Sequence, residues 1–97
     1  MVSSPAMNII VDTMHRIASS STNGRVEPFE GKNGCWICHM WIDSHCVAVE
    51  CDGHQYGVDE LDNDPDTILL NGYNNVFDDA AEVVEWLGNW AKIHKLC

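Results

Sequence analysis

Apolar residues recur at intervals of three and four near both ends of the chain and at intervals of two through its middle, which predicts helix, then strands, then helix. Ala6, Ile9, Ile10, Thr13, Met14 and Ile17 fall on one helical face, with Asn8, Asp12 and His15 opposite. Ser4 suits the N-cap of that helix and Pro5 its first position, where a missing N–H costs nothing. The polar run Ser19 to Gly24 ends it. Arg25–Phe29, Cys35–Ile42 and Cys46–Cys51 read as strands, and Pro28 marks the first as an edge or an end. Asp43-Ser44 supplies a tight turn, and Asp52-Gly53 a hairpin leading into His54-Gln55-Tyr56. Asp59 to Asp66 reads as an acidic loop closed by Pro65, with Thr67–Leu70 as a further short strand.

The last helix opens at Asp79, with Glu82 three residues on and Phe77 just upstream, a capping-box-like start. Ala80, Val83, Val84, Leu87, Ala91 and His94 form its apolar face; Asp78, Glu82, Glu85 and Asn89 form the opposite one, with Trp86 and Ile93 at the border. Two amphipathic helices need a sheet face to cover. The expectation is a single α+β domain over residues 1–97. It has an N-terminal helix, a three- to four-stranded antiparallel sheet and a C-terminal amphipathic helix packed on that sheet. A length of 97 residues suits one domain, and 45% hydrophobic content with four Trp is enough for a modest core.

Charge changes the picture more than length does. The net charge is −10. Residues 50–85 carry Glu50, Asp52, Asp59, Glu60, Asp62, Asp64, Asp66, Asp78, Asp79, Glu82 and Glu85 and no Lys or Arg. Unpaired like charges repel, so a chain that keeps them bears a stability cost. Such a surface argues against direct binding of nucleic acid or of an anionic membrane. It suits a cationic partner. Asp78, Glu82 and Glu85 stand at i, i+4 and i+7, which lines their carboxylates along one helix face at roughly 5–6 Å between neighbouring Cβ atoms. That row imitates part of a nucleic-acid backbone. The expected partner surface is therefore Asp59, Glu60, Asp62, Asp64, Asp66, Asp78, Glu82 and Glu85, with Trp86 as an aromatic anchor.

The cysteines and histidines offer a competing chemistry. Cys35-Trp-Ile-Cys38 and Cys51-Asp-Gly-His54 place C-x2-C and C-x2-H twelve residues apart, a spacing compatible with a four-ligand zinc site. Against it, residues three apart on a regular strand point to opposite faces, and Trp36 and Ile37 are bulky for a zinc knuckle. The leading expectation is no cofactor, with zinc on Cys35, Cys38, Cys51 and His54 as the alternative. Cys35-x-x-Cys38-His39 also matches a c-type haem attachment motif, which requires export. Asp62 to Asp66 starts like a calcium loop, but Thr67 and Tyr73 stand where such a loop needs Gly and Glu. No glycine-rich phosphate loop or nucleophile elbow is present, so no enzyme is expected.

There is no basic stretch followed by an apolar segment at the amino terminus and no run of about 18 apolar residues, which argues against a secretory signal and a membrane span. Five cysteines, an odd number, suit reduced thiols and a cytoplasmic setting.

The segment Phe77-Asp78-Asp79-Ala80-Ala81-Glu82-Val83-Val84-Glu85-Trp86-Leu87, in a small acidic chain with a short sheet, resembles phage-encoded anti-CRISPR proteins as a type. The resemblance covers about a tenth of the chain. It implies a non-enzymatic inhibitor that mimics nucleic acid and blocks a basic surface on a Cas subunit, in the cytoplasm of a bacterial host. An immunity protein against a nuclease toxin has the same character, and a zinc-stabilised interaction module is the other alternative. The α-β-β-β-α order is similar to the double-stranded-RNA-binding domain, whose basic residues are missing here.

Overall fold

Every second residue of one central strand is buried, and that alternation organises the molecule. The computed structural model describes residues 5–31, 34–61 and 75–95. Its elements are α1 (Pro5–Ala18), β1 (Arg25–Glu30), β2 (Trp36–Ile42), β3 (His45–Cys51), β4 (Tyr56–Leu61), β5 (Asn75–Phe77) and α2 (Ala80–Ile93). In β2, Trp36, Cys38, Met40 and Ile42 turn inward, while Ile37, His39 and Trp41 turn to the other face. The sheet is an antiparallel meander in chain order, β1-β2-β3-β4-β5. Pairing of Cys38 with Val49 and of Val49 with Val58 carries one apolar row across three strands. The α+β architecture matches the sequence pattern. The sheet has five strands rather than three to four.

Both helices lie on the inner face and touch each other, α1 over β1 and β2 and α2 over β4 and β5. Ile10, Met14, Met40, Ile42, Val47, Val49, Val58, Val83 and Leu87 are fully buried there. Each such aliphatic side chain stabilises the fold by roughly 1.5–3 kcal/mol. A smaller buried cluster, Cys46, Ala48 and Leu61 with Trp41, sits on the opposite face.

The helix faces differ in detail from the periodicity. In α1, Met7 and Ala18 are buried and Ile9 is exposed, because packing against the sheet selects a stripe rotated from the one the pattern suggests. In α2, Trp90 joins Val83, Leu87 and Ala91 in the core. Trp86 is half-buried against it and Ile93 is exposed.

The turns follow local chemistry. Asp43 takes φ 54° in the two-residue turn that pairs Ile42 with His45, a conformation Asp tolerates. Its amide donates to Asn23 Oδ1, and Ser21 donates to its carboxylate, so this turn is stapled to the α1–β1 loop. Gly24 packs so close to Ala18 that a Cβ would lie 2.0 Å from the Ala18 carbonyl oxygen. The β3–β4 connection is a four-residue loop, 52–55, since Cys51 pairs with Tyr56. The expected strand Thr67–Leu70 and most of the expected acidic loop lie outside the described residues.

Candidate functional site

Two groupings of polar side chains stand at opposite ends of the sheet. The first is the acidic end, built by the β3–β4 loop and the start of α2. Asp52 Oδ1 accepts from the amides of His54 and Gln55 at 2.8 Å each, which fixes the loop. Those amides, Gln55 first and His54 second, hold the Asp52 carboxyl below the usual carboxylate range. Gln55 Nε2 then donates to Asp78 Oδ1 at 2.9 Å and seats the loop against the entrance to α2. Asp79 is the N-cap, in extended backbone, and accepts from the Ala81 amide at 3.0 Å. Asp52, Asp78, Asp79, Glu82 and Glu85 are all exposed, and none forms an ion pair with a described residue.

The acidic surface expected from the sequence is thereby redrawn. Glu82 and Glu85 lie on α2 as the helical spacing places them, with Trp86 half-buried beside them. Asp78 does not continue the row: it precedes the extended N-cap Asp79, so helical geometry does not set its position. Asp59 and Glu60 do not begin a loop: β4 runs to Leu61, and its pleat sends the two side chains to opposite faces. Val47 opposes Glu60 and Ala48 opposes Asp59, so Glu60 turns toward the helices and Asp59 toward the open face. Asp62, Asp64 and Asp66 fall outside the described residues. Asp52, next to Cys51 in sequence, is the addition.

The second grouping was invisible as a motif. Glu60 sits between His45, at the start of β3, and the end of α2. Its Oε2 lies 2.8 Å from His45 Nδ1, and its Oε1 accepts from Trp90 Nε1 at 2.9 Å. His94 Nε2 stands 3.6 Å from Oε1. The His45 and His94 rings are 4.4 Å apart at their centroids, and Trp90 lies 4.6 Å from His94 and edge-on to His45 at 5.5 Å. Burial pushes the Glu60 carboxyl up; hydrogen bonds from Trp90 and His45, with the attraction of both imidazoles, outweigh that and leave it below its ordinary range. Among the described residues this is the one group of three metal-ligating side chains whose donor atoms gather, all within 4.8 Å of one another.

Cys35, Cys38, Cys51 and His54 do not gather in that way. Cys38 is in the core, and burial pushes its thiol up to about 12. Cys35 borders a surface hollow with Ile37 and His39 on the open face. Cys51 faces inward opposite Trp36, takes a contact from the Gly53 amide at 3.3 Å, and is also raised first by burial. His54 is exposed in the loop. Burial raises the thiols of Cys38 and Cys51 and holds them protonated, and protonated thiols are poor metal ligands.

Comparison of the chain with protein-family models, with curated proteins and with solved structures finds no match. No helix among the described residues is long and apolar enough to cross a membrane.

Proposed function

We propose that this is a non-enzymatic binding protein whose acidic end occupies a basic, nucleic-acid-holding surface on a partner protein. The observation that carries the reading is the Gln55–Asp78 hydrogen bond, which joins two separate acidic segments into one surface. Asp52, Asp78, Asp79 and Glu82 then gather where the β3–β4 loop meets the start of α2, and Glu85 follows one turn along the helix. None of the five forms an ion pair with a described residue. Uncompensated charge of this kind destabilises the free protein and is relieved by a basic partner, so long-range attraction speeds encounter. A Cas subunit and a nuclease toxin are both partners of the required chemistry, and Glu82 and Glu85 on α2, with Asp78 and Asp79 before it, are the carboxylates that stand in for phosphates.

The test is capture of a partner from host lysate on the immobilised protein, followed by elution with duplex DNA or heparin. Polyanion should release the partner. The double variant Glu82→Lys/Glu85→Lys, shown to be folded by circular dichroism, should weaken capture at least about tenfold. Capture indifferent to both polyanion and charge reversal would sink this reading.

A further inference from the structure

We infer that His45, Glu60 and His94 form a binding site for a divalent first-row transition ion of the zinc class, clamping the end of α2 to strands β3 and β4. The chemistry of the donors is the first argument. Two imidazole nitrogens and one carboxylate oxygen are a donor set that zinc-class ions accept, with coordination positions left over for water. Geometry is the second. A tetrahedral ion at about 2.0–2.1 Å from each ligand needs neighbouring donor atoms about 3.3 Å apart. Here the three donors all lie within 4.8 Å of one another, at most about 1.5 Å wider than that spacing.

The surroundings are the third argument. A ligating carboxylate needs an outer hydrogen bond to fix its orientation. Trp90 Nε1 supplies one to Oε1 at 2.9 Å and leaves Oε2 directed at the imidazole of His45. The indole is itself buried, so it is held in place by the core. The three ligand side chains retain roughly a quarter to a third of their exposure, 27% for each histidine and 35% for Glu60, which gives an ion a path in. Binding needs Nδ1 of His45 free of its proton. In the neutral ring an Nδ1 proton passes to Nε2; in the imidazolium, which keeps its Nε2 proton, it leaves to solvent. The metal takes its place beside Glu60 Oε2. His94 contributes Nε2, the atom already nearest the carboxylate.

This site is independent of the acidic end. β3 and α2 each span about 20 Å, which separates the β3–β4 loop and the start of α2 from His45 and His94.

The test uses the full chain without a polyhistidine tag. Co(II) titration should give visible absorption saturating at one equivalent, reversed by Zn(II), and Zn(II) should raise the melting temperature. Glu60→Gln and His94→Asn, each with an unchanged circular dichroism spectrum, should bind Co(II) at least about tenfold more weakly. Should either variant fail to fold, imidazole NMR on the natural sequence decides. Zn(II) should then shift the ring signals of His45 and His94 and leave those of His15, His39 and His54 in place. The site is overturned by absence of one-to-one binding, by equal affinity in both folded variants, by thiolate-to-cobalt charge-transfer bands, or by ring shifts confined to other histidines.

Discussion

Trp90 and Glu60 stand thirty positions apart in the sequence, and the indole N–H donates to the carboxylate at 2.9 Å. This hydrogen bond ties the last turns of α2 to the end of β4 and completes a cluster in which one carboxylate serves an indole and two imidazoles. Replacing Trp90 with Phe keeps an aromatic ring in the core and removes the donor. Hydrogen bonds to charged groups are worth about 1.5–3 kcal/mol, and the partial exposure of Glu60 reduces that, so Trp90→Phe should cost about 1–2 kcal/mol. Urea denaturation measures it. A midpoint within error of the natural protein would show that the bond contributes nothing net.

Asp79 combines two roles that substitution can separate. As N-cap it accepts from the Ala81 amide, and as an exposed carboxylate it belongs to the acidic end. Asn caps a helix about as well as Asp, whereas Ala cannot accept the bond. Asp79→Ala should therefore destabilise the domain by about 1 kcal/mol, and Asp79→Asn by only a few tenths. Thermal melts of the two variants, compared with their partner capture, distinguish lost charge from lost cap.

Cys38 reports on the integrity of the core. Burial pushes its thiol up to about 12 from an ordinary 9.0. The native state therefore retains a proton that the unfolded chain releases above about pH 9. Stability from this group is fully present below that pH and declines as pH rises toward about 12. Alkylation at about pH 8, mapped by mass spectrometry, should leave Cys38 unmodified while the chain is folded and modify it after denaturation. Rapid labelling of Cys38 in the native protein would contradict its place between Trp36 and Met40 in the inward row.

Much of the frame was legible in the chain because local chemistry decides it. Asp79 caps α2, Asp43-Ser44 turns β2 into β3, and Pro28 falls on an edge strand, since each outcome depends on residues within a few positions. Where the reading strayed, packing was the cause. Ile9 and Met7 both fit an apolar stripe in α1, and only contact with the sheet chose Met7. Acidic composition suggested that Asp59 and Glu60 were loop residues, but pairing with β3 drew both into β4 and divided them between faces.

The site divides in the same way. Sequence spacing by itself determined that Glu82 and Glu85 share a face of α2, because helical geometry brings residues three apart together. Its one visible hint of the second grouping was His94, a polar ring on an otherwise apolar helix face. Tertiary structure alone decided that His94 meets Glu60 and His45, that Trp90 orients the carboxylate, and that Asp52 joins Asp78 through Gln55. These contacts depend on strand register and on how far along the sheet a helix is docked. Both are fixed by burying apolar area across the whole core, and no local interval encodes them.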